Sequence, residues 1–264
     1  MNPLEIVART PKSNCGKCGF PACLAFAAAV CATGIDPRKC PYIDLEGLAV
    51  KAAGVALEDA ARQRDLVVVA HLKGKIAEVD FTSLAPRLGA ELESGTLLFS
   101  YLGQQVALSK ETILIDGAEP EDPRDRILLY NYVFSGGGRR PDGEWIGMES
   151  MPNSISKVRT LATYCEEPIA GLFGGREIAE VTAGAGRAGG KPFPDASASL
   201  DLLFAVLPRL PQRVLFWAEE PEDGFPAKAK VLYDHHALDY LDIESLLFSS
   251  ERLAERLAVL LLNP

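Results

Sequence analysis

The chain has 264 residues, 48% of them apolar, and carries 36 acidic against 27 basic side chains for a formal net charge of −9. That length holds one large domain plus a small appendage, and the acidic balance excludes a nucleic-acid-binding surface, which needs clustered Lys and Arg. No apolar run approaches the roughly 18 residues of a membrane span, and the N-terminus lacks a basic region followed by an apolar run, so a soluble, cytoplasmic protein is expected.

Chemistry enters with the first element. Five of the 6 cysteines lie in the first forty residues: Cys15-x2-Cys18-x4-Cys23, then Cys31, then Cys40 followed by Pro41. Thiolates are the protein ligands of iron-sulfur clusters, and four from one short segment closed by a Cys-Pro suit a 4Fe-4S cluster. A structural zinc ion draws more often on two Cys-x2-Cys or Cys/His pairs; zinc and a disulfide framework are the alternatives. Gly16 and Gly19 allow tight turns that bring backbone N–H groups toward sulfur. Pro21 suits a first helical turn and residues 22–30 are strong helix formers, which puts Cys23 at a helix N-terminus, where the dipole favours negative charge. Gly34 and Pro37 end that helix, and the chain then returns to deliver Cys40. Cys31 lies about 80° round the helix from Cys23. It reads as a small buried thiol, with a redox-active or substitute-ligand role as the rival.

Residues 1–43 thus form a cluster module, and the Ala-rich stretch 45–64 reads as helix within a connector, 44–64. Asp65-Leu-Val-Val-Val-Ala-His71 opens a strand-rich larger domain, 65–264. Lys73-Gly-Lys75 and Leu102-Gly-Gln-Gln105 read as hairpin turns, with paired strands at 96–101 and 106–115. A helix with Pro near its start spans 123–134, a Gly-rich loop follows at 136–140, and further helices cover 153–172 and 177–183. Strands at 198–206, 212–218 and 227–233 precede a helix at 243–262. Strands on both sides of a helical middle predict an α+β fold: a small N-terminal iron-sulfur module followed by a larger mixed sheet-and-helix domain.

Thr10-Pro-Lys-Ser-Asn-Cys15-Gly-Lys-Cys18-Gly-Phe-Pro-Ala-Cys23-Leu-Ala-Phe-Ala, through to Cys40-Pro41, resembles the 4Fe-4S domain that opens the large subunit of the corrinoid iron-sulfur protein of the acetyl-CoA pathway. A similar domain occurs in the B subunit of Rnf electron-transport complexes. The resemblance implies Cys15, Cys18, Cys23 and Cys40 as the ligands and leaves Cys31 outside. Asp125-Arg-Ile-Leu-Leu-Tyr-Asn-Tyr, Gly143-Glu-Trp-Ile-Gly-Met-Glu-Ser-Met-Pro, Leu207-Pro-Arg-Leu-Pro, Val214-Leu-Phe-Trp-Ala-Glu-Glu and Ala229-Lys-Val-Leu-Tyr-Asp resemble the DUF3786 family across about residues 60–262. That family brings no catalytic residues with it, and the stretch Met148-Glu-Ser-Met-Pro-Asn-Ser departs from its Phe-Arg-Glu-Leu-Pro-Gly-Gly-like pattern.

Other stretches imitate catalytic motifs. Gly184-Ala-Gly186-Arg-Ala-Gly189 satisfies G-x-G-x-x-G, but Lys191-Pro-Phe-Pro194 cannot open the phosphate-binding helix behind it, so a flexible connector is expected. Gly190-Lys191 lacks the Ser or Thr of a P-loop. The loop 136–140 reads as a solvated turn, with anion binding through Arg139 and Arg140 as its rival. Asp234-His235-His236 resembles the motif of DHH phosphoesterases, which needs further carboxylates and a second domain. Because adjacent strand residues face opposite ways, we expect instead a strand end with one exposed and one partly buried His. His71 has no role. Cys165, with Leu161 and Ile169 at i−4 and i+4, reads as core packing. Trp145, Trp217, Tyr130, Tyr132 and Phe134 form an aromatic set that is mostly core. Should a corrinoid bind, the Gly143-Glu144-Trp145 loop is the first place to look.

The expected function is therefore a 4Fe-4S electron-transfer or accessory protein of anaerobic metabolism that works with a redox protein partner. The alternatives are a corrinoid-binding or corrinoid-reducing protein of one-carbon metabolism, acting with a corrinoid protein or cofactor, and a redox enzyme with its site in the C-terminal domain.

Overall fold

Apolar residues spaced three and four apart wind the chain into helix even where its composition favours strand, and this sets the first difference from the sequence reading. In a computed structural model of the protein the described residues are 3–33, 35–45, 50–193 and 197–262, the side chains of 32, 33 and 50–61 excepted. Two compact units result, Met1–Val67 and Val68–Pro264.

In the first unit, α1 (Pro3–Ala8) packs against α2 (Cys23–Thr33) through Ile6, Phe26, Ala27 and Val30, and Cys40 joins their cluster. Phe26, Ala27 and Val30 share one face of the helix, as the 3.6-residue repeat requires. The helix ends at Thr33, ahead of Pro37; the expected Gly34 stop lies outside the described residues. Pro37 opens a short 3-10 turn (Pro37–Lys39), which Asp36 caps by accepting the Arg38 N–H at 2.9 Å.

Helix α3 (Val50–Ile76) corrects two expectations. The stretch 65–71 is not a strand and Lys73-Gly-Lys75 is not a hairpin turn. Val69, Leu72 and Ile76 are buried while Val67 and Val68 are exposed, so burial at helical spacing overrides the β-propensity of the valines. The helix expected from residue 45 is present from Val50 onward; Leu45 is not helical, and positions 46–49 lie outside the described residues.

The second unit holds two antiparallel sheets. Helix α4 (Phe81–Leu88), which the sequence reading missed, is capped by the Asp80 carboxylate, which accepts the Thr82 N–H at 3.0 Å, and is ended by left-handed Gly89. Strands β1 (Glu91–Glu93), β2 (Thr96–Tyr101), β3 (Gln104–Leu108) and β4 (Ile113–Ile115) form a meander in chain order. The expected strand 106–115 is thus broken, because the Ser109 hydroxyl accepts the N–H groups of Glu111 and Thr112 and turns the chain. The β2–β3 hairpin has the anticipated tight turn: Leu102 and Gly103 take φ of 50° and 78°, the pair of positive values a two-residue turn of primed type needs. A Cβ on Gly103 would stand 2.3 Å from the Arg187 carbonyl oxygen, so only glycine fits.

The second sheet has the order β5-β9-β8-β7-β6, with β5 (Trp145–Gly147), β6 (Gly190–Pro192), β7 (Leu200–Leu207), β8 (Leu210–Trp217) and β9 (Lys228–Asp234). The three long strands were foreseen and the short edges β5 and β6 were not. Helix α5 (Pro123–Phe134) matches its expected span. The expected helix 153–172 is built as α6 (Ile155–Leu161), a π-turn (Ala162–Glu166) and α7 (Glu167–Phe173). Pro168 has no N–H to give to the turn before it, which accounts for the local widening. Helix α8 (Ile178–Arg187) runs through Gly184 and Gly186, so the expected flexible connector is helical there. A Cβ on Gly184 would meet Leu261 at 2.4 Å; the glycine serves close packing on α9 (Ile243–Leu262) and leaves no phosphate loop.

Helices and two antiparallel sheets give the expected α+β class. Helix α9 lies across the second sheet and is fixed to it by polar contacts: Gln212 Nε2 donates to Ser249 Oγ at 2.6 Å, and the Tyr233 and Ser250 hydroxyls are 2.7 Å apart. Arg252 places two N–H donors on Asp125 at 2.8 and 2.9 Å, and the Tyr101 hydroxyl donates to the same carboxylate at 2.8 Å. This links α9, α5 and β2. No described helix is long and apolar enough to cross a membrane.

Asp125→Ala removes the acceptor of two Arg252 N–H groups and of the Tyr101 hydroxyl and leaves Arg252 only Asp122 and Glu255, a loss of about 1.5–3 kcal/mol at the scale of hydrogen bonds to a charged group. Denaturant unfolding should record a drop of that size. Glu119→Ala, at a side chain 64% exposed, should change stability by less than about 1 kcal/mol.

Candidate iron-sulfur site

The loop that carries the first two cysteines is made by backbone conformations few residues adopt. Lys12, Asn14, Gly16 and Gly19 have φ of 55°, 48°, 72° and 84°, and the Gly19 N–H closes a turn on the Gly16 carbonyl at 2.9 Å. Asparagine tolerates that region better than other side chains do, and its amide has a second use. Asn14 Oδ1 accepts the Cys23 N–H at 2.8 Å, which caps the first turn of α2 and ties the Cys15 loop to the residue that starts the helix.

The thiol of Cys15 is exposed. The backbone N–H of Lys17 and the hydroxyl of Ser13 donate to it and hold its pKa below the ordinary thiol range. Cys18 is half-buried and Cys23 buried. Cys40 is buried at the end of the 3-10 turn, where its N–H bonds the Pro37 carbonyl at 3.1 Å. Just beyond it, the Asp44 N–H donates to the Arg9 carbonyl at 2.9 Å, which returns this segment to the end of α1. Cys18, Cys31 and Cys40 all touch the apolar cluster of Ile6, Phe26, Ala27 and Val30. Cys31 is half-buried there, less enclosed than the sequence suggests. The cysteines of this unit offer thiols, the donor type that iron-sulfur clusters take, and a Cβ on Gly19 would meet nothing within 4 Å. The residues fit the group.

Elsewhere the sequence-predicted residues divide. Cys165 is fully buried in the π-turn, as expected of core packing, and burial together with the negative charges of Glu251, Glu166 and Glu255 pushes its thiol well above the ordinary range. The aromatic set does not form one cleft. Trp145 pairs with Asp234 at one end of β9 and Trp217 with Lys228 at the other, about 20 Å apart at ~3.3 Å per residue. Tyr130 and Tyr132 are buried and Phe134 is half exposed.

The loop 136–140 is pinned, not merely solvated. The Arg139 guanidinium pairs with Asp239 at 2.8 Å and holds that carboxyl at about 2, Arg87 donates to the Gly137 carbonyl at 3.0 Å, and the Tyr240 hydroxyl to the Arg139 carbonyl at 2.8 Å. His235 and His236 also depart from expectation. Strand β9 ends at Asp234, so the two histidines sit in the turn beyond it. They do not alternate across the sheet: their rings are 3.7 Å apart, and Asp142 faces both. Nothing in the local sequence pairs Asp142 with them.

Residues 80–256 match the family model described as "Domain of unknown function (DUF3786)", and the chain belongs to that family. Residues 11–42 match the model described as "Putative Fe-S cluster". The chain is 43% identical over 58 residues to the corrinoid/iron-sulfur protein large subunit of Moorella thermoacetica, covering 22% of this chain and 12% of that protein. It is 41% identical over 39 residues to the acetyl-CoA decarbonylase/synthase complex subunit gamma of Archaeoglobus fulgidus, covering 15% of this chain and 8% of that one. The chain thus spans only a small part of these relatives' length. No solved structure matches it.

In metal-free protein, the lowered pKa of Cys15 raises its thiolate fraction at any pH below the ordinary thiol range, and the raised pKa of Cys165 does the opposite. Iodoacetamide at pH 7, followed by peptide mass mapping, should alkylate Cys15 early and Cys165 only after unfolding.

Proposed function

We propose that this protein is a cytoplasmic one-electron carrier or accessory protein of anaerobic metabolism, with a 4Fe-4S cluster held by Cys15, Cys18, Cys23 and Cys40. The observation that carries the reading is the placement of these thiols: one exposed on a loop of left-handed residues, one half-buried, one at a helix N-terminus and one closing the segment against the same apolar cluster. The match of residues 11–42 to an iron-sulfur family model supports it.

Such a cluster, when bound, supplies reversible exchange of one electron. The chain's own residues govern how it is held and approached. Buried Cys23 and Cys40 would anchor the inner side, where the positive end of the α2 dipole favours negative sulfur. Exposed Cys15 leaves the outer side open to a docking redox protein, and exposed Lys12 and Lys17 flank it with positive charge suited to an acidic partner. Cys31 packs without a ligand role. The DUF3786 domain would bind the partner or a second cofactor.

A corrinoid-linked role is the second reading, favoured by the similarity of the N-terminal residues to the corrinoid/iron-sulfur protein large subunit. A groove of about 550 Å³ lined by Trp217, Phe225 and Pro226 suits an apolar ligand better than the Gly143-Glu144-Trp145 loop, which is drawn down onto Asp234. Quenching of tryptophan fluorescence by cob(II)alamin, lost in Trp217→Phe, would support this reading; no quenching at high micromolar corrinoid would leave the plain carrier.

Anaerobically isolated protein should contain about four irons and four acid-labile sulfides per chain. Serine at Cys15, Cys18, Cys23 or Cys40 should lower that content, whereas Cys31→Ser and Cys165→Ser should keep it. Zinc as the only metal would refute the assignment.

We also infer that the cluster module folds with its metal and the larger domain without it. Iron removal should abolish amide protection across residues 10–43 in hydrogen exchange and leave β7, β8 and α9 protected. Loss of protection in both would join them into one folding unit.

A further inference from the structure

The turn after β9 gathers three metal-ligand side chains at one point. Asp234 builds it. Its Oδ2 accepts the backbone N–H groups of Asp142 and Gly143 at 3.0 and 2.8 Å, and its Oδ1 accepts that of His236 at 3.0 Å. The His235 N–H donates to the Glu144 carbonyl at 3.0 Å. These bonds fasten the 142–144 loop over the two histidines, and the Glu144 N–H on Asp142 Oδ1 at 3.0 Å fixes the carboxylate's direction.

The gathered atoms are spaced as ligands and not as hydrogen-bond partners. His235 Nδ1 is 3.4 Å from Asp142 Oδ1, and His236 Nε2 is 3.6 Å from Asp142 Oδ2. Two donors on one tetrahedral ion, each at 2.0–2.1 Å from it, stand about 3.4 Å apart. Ligand atoms of the three residues all lie within 4.8 Å of one another. Of the two buried Nδ1 atoms without a hydrogen-bond partner, that of His235 faces Asp142, whereas His236 turns its Nε2 there; an unpaired buried ring nitrogen is costly for an imidazole that is doing nothing else.

We propose that Asp142, His235 and His236 bind one divalent transition-metal ion of the zinc class, with Glu144 in reach as a fourth donor. The Glu144 carboxylate lies 3.7 Å from His235 Nδ1. Two imidazoles exclude magnesium and calcium, which take oxygen donors. The Asp142 side chain is 54% exposed while that of His236 is 11% exposed, so the ion would be held from the protein side and keep an outward position for water or a small anionic ligand, as three-ligand sites do.

The test uses full-length, cluster-loaded protein, so that the cysteines are already occupied. Titration calorimetry with zinc chloride should give one equivalent bound at low micromolar or tighter, and zinc-edge X-ray absorption should give nitrogen and oxygen neighbours with no sulfur. Asp142→Asn keeps the acceptor for the Glu144 N–H and removes only the charge; it should weaken zinc at least tenfold at an unchanged melting temperature. His235→Ala should do the same, and Cys31→Ser should change nothing. No zinc binding, sulfur in the ligand shell, or equal affinity in the Asp142→Asn and His235→Ala proteins would each overturn the site.

Discussion

Ile6, Phe26, Ala27, Val30 and Cys40 make up the buried apolar cluster described in the Met1–Val67 unit. Full burial of an aliphatic or aromatic side chain contributes about 1.5–3 kcal/mol, and fixing one residue's backbone costs about 1–2 kcal/mol. The described cluster is small beside the cost of ordering about 40 residues around it, and segments of that size are commonly held by a metal or a disulfide. Left-handed Lys12 and Asn14 add strain on top. Among the described residues, the cysteines of this unit are the side chains able to add further cross-links, and thiolate–iron bonds of the proposed cluster are the kind they would make. The same bonds would join the loop, the helix start and the Cys40 segment, which are linked otherwise by Asn14 to Cys23 and Asp44 to Arg9.

The larger unit is built on the opposite principle. Its core runs continuously from Val69 to Leu261, and three of its buried polar side chains have polar partners: Arg213 lies on Asp201, Gln212 between Ser249 and Ser250, and Asp125 under Arg252. Asp234 shows how such a group can be turned to another use. A carboxylate at the end of a central strand takes three backbone N–H groups and so organises a loop from a distant part of the chain. An aliphatic residue there would pack as well and hold nothing.

What the sequence revealed was local. The iron-sulfur character of the cysteine-rich segment, the β2–β3 turn, read over 102–105 and formed at Leu102-Gly103, and the Pro-started helix α5 are set by neighbours in the chain, and the family match at 11–42 and the structure agree with them. Two errors came from composition winning over period. The valines at 67–69 suggested strand although 69, 72 and 76 already stood at helical spacing, and the glycines at 184–189 suggested a connector although Val181 and Ala185 share a helix face. A third error was topological. Alternation along a strand predicted that His235 and His236 point apart, but that rule lapses where the strand stops, at Asp234, and their rings lie 3.7 Å from each other. Asp142 was invisible for a plainer reason: its partners are adjacent only through the β5–β9 pairing, a contact no local pattern encodes.

The central claim is that the N-terminal thiolates hold a single one-electron centre. An anaerobic redox titration of the full-length protein, followed by low-temperature EPR, tests it most directly. The account predicts one Nernstian wave with n = 1 and a spin-half signal of about one per chain on reduction, absent from the Cys18→Ser protein. A protein that is EPR-silent at every potential, or a signal that persists unchanged in Cys18→Ser, would contradict it.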